Sequence, residues 1–471
     1  MNRIRSSQGG VIWSYAGTAV RLLINVALLP LFLFFLSDDE LGLWYVFVSL
    51  SGIVLLLQLG FSPALARNIA YCMSGVKELA KEGASRATSQ ISWPLLSNVI
   101  LVSKKFYGII SFVALCLLLT LGSAYVMSLA DLNRHYLFAV WGSYSLGIFL
   151  NIYFSYFESA LRGVGAIAEV NKSSVYSVFI QVLICASLFC LGFGLLSPVF
   201  AYVAQGVSYR MFCRRYFWRN ESIRTGLDKK SMKKMADPAM QKHLYKMMAP
   251  NAYRDGIVLL ANYLATQANT IVASMFLPLA DTGFYSLTIQ LINAIASLSA
   301  VVVSAYHPVL QSSFATGDNV EIRRLISLSS SAFVVSFAVG FLLLAVFGIP
   351  IMQMLKPSYE VPFLFLLMTG FYYFIWKQQT NYAAYISNNN TIPYAIPFVL
   401  ASLGGVALSI LLTGGFGIGA YGLIGGQLVA QIVFNSWYWV RYVDKRIGAT
   451  YLGSLLLGLK EWRRVLLKRL R

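Results

Sequence analysis

Long apolar runs constrain this chain more than any other feature in it. Runs of roughly twenty residues, enough to cross about 30 Å of hydrocarbon as a helix, recur as far as residue 440 or so. Their limits fall near 11–36, 41–66, 107–129, 134–157, 174–195, 197–213, 249–277, 283–307, 326–354, 361–382, 393–413 and 417–440, about twelve runs with ends placed to about four residues. In a bilayer core each backbone N–H and C=O must be satisfied within its own segment, so runs of this length become helices. Hydrophobic residues are 58% of the 471 and charged residues 12%, with a mean hydropathy of +0.67. No water-soluble globule of this size carries that balance. The expected fold is an all-α integral membrane protein.

A net charge of +19 could suggest nucleic acid as a partner, but its distribution argues against that. Lys and Arg gather at the amino terminus (Arg3, Arg5), after the second run (Arg67 to Lys105), after the fourth (Arg162, Lys172), between Arg214 and Lys246, at Arg323 and Arg324, and from Arg441 onward. The alternate loops are almost bare: Arg134 and Lys356 are their Lys and Arg content. By the positive-inside rule both termini are cytoplasmic, as an even number of spans requires. The first run is too long for a signal peptide, is interrupted by Arg21 and lacks a small-x-small cleavage site, so it is expected to stay in the membrane.

The basic stretch 214–248 divides the chain into a first lobe at 1–213 and a second at 249–440, followed by a basic tail at 441–471. The halves echo one another. Glu40-Leu-Gly-Leu-Trp-Tyr at the mouth of the second span matches Asp281-Thr-Gly-Phe-Tyr at the mouth of the eighth, and Ser62-Pro-Ala-Leu matches His307-Pro-Val-Leu. Equal orientation of the copies predicts two six-helix lobes related by a parallel pseudo-two-fold, with a V-shaped central cavity. In the tail, leucines and Trp462 recur at helical spacing opposite Lys460, Arg464, Lys468 and Arg471. This predicts an interfacial helix on anionic lipid.

Arg21 lies inside the first apolar run, about 15 Å from Val11 at a rise of about 1.5 Å per residue. A guanidinium at that depth costs roughly 2.5–3.5 kcal/mol on insertion scales and usually faces water or a partner. Ser14, Thr18 and Asn25 share its helix face. Further polar stripes run through Gln58 and Ser62; Asn151, Ser155 and Glu158; Asp255, Asn262, Thr266 and Asn269; and Ser286, Gln290, Asn293 and Ser297. Such residues often serve only to join helix to helix by hydrogen bonds. Their concentration in spans 1, 2, 7 and 8 instead favours a shared hydrated cavity.

Catalytic signatures are scarce. The three histidines are scattered, the five cysteines show no CxxC spacing, and neither HExxH nor a Walker-type loop occurs. No metal site or cofactor is expected. A membrane-embedded polysaccharide polymerase remains the enzyme alternative, but the expected external loops leave little room for its catalytic residues.

The two acidic-x-Gly-x-aromatic motifs, Ala160-Leu-Arg162-Gly163 after the fourth span, and the basic central stretch together resemble the polysaccharide transporter family. This is the Wzx-type O-antigen flippase family, in the superfamily that also holds MATE drug exporters and MurJ lipid II flippases. The resemblance implies a non-enzymatic flippase of a bacterial inner membrane. Its substrate would be an undecaprenyl-pyrophosphate-linked oligosaccharide, carried by alternating access to the periplasmic leaflet and coupled to an ion gradient, with the polysaccharide polymerase and chain-length regulator as partners. Arg suits bidentate phosphate binding, so Arg21 and Arg254, placed within spans, are the expected pyrophosphate ligands. Tyr15, Thr18, Asn25, Gln58, Asn262, Thr266, Gln290 and Asn293 are the expected sugar and cavity contacts. Many relatives place an acidic residue in mid-span 7, where this chain has Gln267 and Asn269; Asp255 and Glu158 are the remaining candidates for ion coupling. A MATE-like exporter of organic cations is the runner-up and predicts carboxylates at midplane.

Overall fold

A computed structural model describes residues 28–58, 60–76, 90–129, 133–316, 318–387 and 392–469, and every regular element among them is helical. The chain divides into two units, Met1–Leu260 and Ala261–Arg471. The first holds α1 (Leu29–Phe35), α2 (Asp38–Leu56), α3 (Phe61–Met73), α4 (Trp93–Leu129), α5 (Arg134–Tyr153), α6 (Tyr156–Gly163), α7 (Ile167–Cys190), α8 (Leu196–Arg219), α9 (Glu221–Arg224), α10 (Lys229–Lys234) and most of α11 (Pro238–Thr266). The second holds α12 (Ala268–Phe276), α13 (Leu279–Thr316), α14 (Asn319–Leu355), α15 (Phe363–Ser387), α16 (Ala395–Gly415), α17 (Ala420–Val433), α18 (Asn435–Arg446) and α19 (Tyr451–Arg469).

Among the described residues 8 helical stretches are long and apolar enough to cross a membrane: α2, α4, Arg134–Gly163, α7, Gly256–Phe276, Leu279–Tyr306, α14 and α16. Helices α8 and α15 cover the expected spans 197–213 and 361–382, where Arg210 in one and Lys377, Gln378 and Gln379 in the other lower the apolarity. The expected span 417–440 is broken at Phe434 between α17 and α18. Most of the first, 11–36, lies outside the described residues.

Both units contain a span of 37 residues with one anatomy. In α4 a 25-residue α-helix passes through a 5-residue π turn, Leu118–Gly122, into a 7-residue α-helix. In α14 the same three lengths recur around Leu344–Gly348. Each π turn ends in glycine. A π turn displaces backbone carbonyls from the regular ladder; in α4 the Leu118 carbonyl accepts from Trp141 Nε1 at 3.0 Å. Gly122 leaves room for that indole, since a Cβ there would lie 2.7 Å from Trp141 Cζ2.

The acidic-x-Gly-x-aromatic motifs are helix starts. Ser37 Oγ accepts from the Glu40 N–H at 3.2 Å while Glu40 Oε2 accepts from the Ser37 N–H at 3.0 Å, a reciprocal capping box. Trp44 then packs edge-on against Phe32 and Tyr144. In the second unit Asp281 occupies the first turn of α13, where a carboxylate is favoured by the helix dipole; Phe284 packs edge-on against Tyr359, and Tyr285 packs tilted against Phe365.

Helix α4 begins at Trp93, upstream of the expected 107, and the basic stretch docks on this extension. Buried Asn98 donates to Met235 O at 2.8 Å and accepts from Asp237 N and Gln241 Nε2, while Lys105 Nζ donates to Gln241 Oε1 at 2.8 Å.

The tail helix α19 packs on α14 through Gly458 and Trp462. Trp462 Nε1 donates to Leu328 O at 3.0 Å, and Glu461 pairs with Arg324 at 3.2 Å. Arg324 and Arg464 hold the Glu461 carboxyl below its usual range, first through the Arg324 hydrogen bond. Leu452, Leu456 and Leu459 remain exposed on another face. At Gly458 an added Cβ would lie 2.7 Å from the Ser327 carbonyl carbon. Gly458→Leu is therefore expected to detach α19, at an overpacking cost of about 1–3 kcal/mol; limited proteolysis should then cleave within 451–469 much faster, and an unchanged cleavage rate would refute the packing role.

Candidate functional site

In the first unit the polar chemistry centres on Glu158. Its Oε1 accepts from Arg162 Nη2 at 2.9 Å and Nε at 3.2 Å, and its Oε2 accepts from Arg210 Nη1 at 2.6 Å. Arg162 lies one turn along α6, whereas Arg210 comes from α8. Beside them Ser62 Oγ and Ser159 Oγ share a hydrogen bond of 2.7 Å that joins α3 to α6. Gly163 brings the two helices together: a Cβ there would sit 2.6 Å from Ala66 O and from Ile69 Cβ. The Ala160-Leu-Arg162-Gly163 motif thus packs a helix pair and holds one carboxylate between two guanidiniums.

In the second unit the main feature is an interrupted helix. The stretch Gly256–Phe276 breaks at Gln267, whose φ of −122° and ψ of −32° leave the helical range. A break inside hydrocarbon frees carbonyls that need donors. Here Leu264 O accepts from Gln427 Nε2 at 3.1 Å, Ala265 O from Tyr372 Oη at 2.6 Å and Thr266 O from Tyr373 Oη at 3.3 Å. On the far side, buried Asn269 donates to Ser409 Oγ at 3.1 Å and to Leu423 O at 2.8 Å, and accepts from Gln427 Nε2 at 3.4 Å. A ladder continues from Gln379 through Gln431 and Asn435 to Trp439, with donor–acceptor distances of 2.9, 3.2 and 3.0 Å. Discontinuous helices of this kind place backbone dipoles within reach of solutes in many transporters.

Lys377 stands on α15 in the same unit, five residues inside the end of the expected span 361–382 and so roughly 7.5 Å from that end along the axis. Its Nζ donates to Ser297 Oγ on α13 at 3.4 Å, and no carboxylate among the described residues lies within ion-pair distance of it. Ser297 shares a face of α13 with Gln290 and Asn293, both half-buried. A fixed cation, a hydroxyl and two amides therefore border one surface within the unit, a set suited to an anion carrying hydroxyl groups.

Of the residues expected from sequence, Tyr15, Thr18, Arg21 and Asn25 lie outside the described residues, as do the side chains of Arg254 and Asp255 on α11. Gln58 is half-buried just past α2. Asn262 is exposed, and Thr266 Oγ1 donates to its carbonyl at 2.6 Å; Gln267 is exposed at the break. Thr266, Gln267 and Asn269 meet there, Gln290 and Asn293 border the Lys377 surface, and Glu158 sits in the ion cluster of the first unit.

Arg210 and Lys377 escaped the sequence reading, although each is a charge inside an expected span, 197–213 and 361–382. That alone was sufficient signal. Among the described residues no group of three or more His, Cys, Asp or Glu could hold a metal ion.

No protein-family model matches the chain, and no curated protein matches it either. Solved structures do. A multidrug resistance MATE family transporter of the MOP superfamily, in an outward-facing conformation, superposes with a TM-score of 0.60 at 13% identity, over 93% of this chain and 95% of its own. A MOP superfamily transporter from Pyrococcus furiosus gives 0.55 at 15% identity over 93% and 95%. An inward-facing MATE transporter gives 0.55 at 13% over 91% and 99%. The chain has the fold of these transporters.

Proposed function

We propose that this chain is a transporter working by alternating access, and that its cargo is a lipid-linked oligosaccharide of the undecaprenyl-pyrophosphate class. It would move the cargo from the cytoplasmic to the periplasmic leaflet of a bacterial inner membrane, as a Wzx-type flippase does. The observation that carries this reading is Lys377, a cation inside an expected span with a hydroxyl partner and, among the described residues, no carboxylate within ion-pair distance. A pyrophosphate cannot cross hydrocarbon without compensating positive charge, and a buried ammonium without an anion is itself costly. Lys377 is half-buried, so the cost is partial, and a pyrophosphate would offset it. Arg21 and Arg254 add to the same sign, and the half-buried amides of Gln290 and Asn293 suit sugar hydroxyls.

The runner-up, export of organic cations, needs accessible carboxylates. Among the described side chains Glu158 is saturated by two guanidiniums, while Asp38, Asp39, Glu40 and Asp281 lie in the first turns of their helices; the Asp255 side chain lies outside them. The Pyrococcus furiosus structure is described as having a binding pocket of reverse polarity that suggests a different function. A cationic site here would be a departure of that kind from the drug exporters.

Depletion of the protein should leave lipid-linked repeat units in the inner leaflet, measured by their protection from an external glycosidase in spheroplasts. Normal exposure of single units that fail to polymerise would instead identify a polymerase. Export of a fluorescent organic cation, with repeat units unaffected, would establish the exporter.

A further inference from the structure

Beyond the last expected span, α18 carries Asp444, which is buried at 5% exposure and whose Oδ1 accepts no hydrogen bond from any described residue. A buried carboxylate oxygen without a donor is energetically costly. Such a group needs an explanation. Asp444 lines a cavity of about 630 Å³ formed by α15, α18 and the start of α19, within the roughly 300–1,000 Å³ range of small-molecule sites. Arg441 and Lys445 also line it, are exposed, and form no ion pair with Asp444. Its remaining wall is largely apolar, with Phe374, Trp437 and Val440. Gln378 Nε2 donates to Tyr451 Oη at 2.9 Å and makes no hydrogen bond to Asp444 Oδ1.

The groups specify their ligand. Asp444 calls for a cation that can donate a hydrogen bond, Arg441 and Lys445 for an anion on the solvent side, and the aromatic and aliphatic wall for a hydrocarbon portion. An aminophospholipid carries all three in that order. Phosphatidylcholine has the charges but no N–H to donate, and phosphatidylglycerol brings no cation to Asp444. Positive-inside topology places 441–449 at the cytoplasmic membrane surface, where such a headgroup lies.

We propose that this cavity binds the headgroup of a phosphatidylethanolamine-type lipid, with the ammonium on Asp444 and the phosphate under Arg441 and Lys445. This site is independent of the substrate reading above. Binding needs Asp444 ionised, and burial holds its carboxyl up to about 6. Selectivity is therefore full well above pH 6 and is lost as pH falls through that value. Arg441 and Lys445 on α18, Tyr451 on α19 and Tyr382 on α15 are the other charged or titratable groups near it.

The test is native mass spectrometry of the full-length protein from nanodiscs of phosphatidylethanolamine mixed equally with either phosphatidylcholine or phosphatidylglycerol. At pH 7.5 the wild type should retain phosphatidylethanolamine roughly tenfold over phosphatidylcholine, the worth of one charge-assisted hydrogen bond. Asp444→Asn should abolish that preference, while Arg441→Ala with Lys445→Ala should weaken retention of both lipids alike. Equal retention of the two lipids by the wild type would overturn the proposal without any variant. So would a preference surviving in Asp444→Asn, or phosphatidylglycerol outcompeting phosphatidylethanolamine.

Discussion

Lys377→Met should lower translocation of lipid-linked oligosaccharide by roughly 10- to 100-fold while leaving the amount of folded protein unchanged. The magnitude is that of one hydrogen-bonded ionic contact, about 1.5–3 kcal/mol, removed from the path of the charged substrate. Folding should be unaffected or improved, because methionine removes a partly desolvated charge whose hydrogen-bond partner is the Ser297 hydroxyl at 3.4 Å. Lys377→Arg should keep part of the activity, since the charge survives while the shape changes. The measurement is the rate at which labelled repeat units become accessible on the far side of proteoliposomes. A normal rate in Lys377→Met would remove this residue from the mechanism and leave the proposed function resting on Arg21 and Arg254.

Glu158→Ala should act in the opposite way, through stability. The substitution strips Arg210, whose side chain is 16% exposed, of the anion that neutralises it. Breaking a buried pair costs about 3–5 kcal/mol; the lower end applies here, because the Glu158 side chain is 19% exposed and Arg162 is wetter still. Thermal unfolding in detergent should report the loss, and Glu158→Ala combined with Arg210→Met should recover most of it. A coupling carboxylate would behave differently. If Glu158→Ala remained as stable as the wild type but lost gradient-driven transport, the ion-coupling role would stand and the structural reading would fall.

The motifs that support the family resemblance prove to be structural where they are described. Glu40 closes a capping box. Gly163 lets α6 approach α3, and Arg162 holds Glu158. Each depends on neighbours a few residues away or on one close helix contact, and such short-range requirements leave a legible trace in sequence. The π turns belong to the same group only in part: Gly122 and Gly348 are visible, but the Trp141 indole that satisfies Leu118 O comes from another helix.

The sequence by itself determined what depends on composition and local order. Apolar runs of membrane length dictated helices, because hydrocarbon offers no partner to an open backbone. Alternating basic loops dictated an expected orientation, and an apolar leucine spacing dictated a helix at the tail. Only the tertiary structure decided which faces meet. It seated α19 on α14 through Gly458 and Trp462, paired Glu158 with an arginine 52 residues away, and broke the seventh span at Gln267. No proline or glycine marks that break. It is held by Tyr372, Tyr373 and Gln427, which bring hydroxyl and amide donors to three freed carbonyls from α15 and α17. A helix's own sequence records its propensity to form, whereas a hydrogen bond between helices depends on two segments arriving together, and that coincidence exists only in the folded chain.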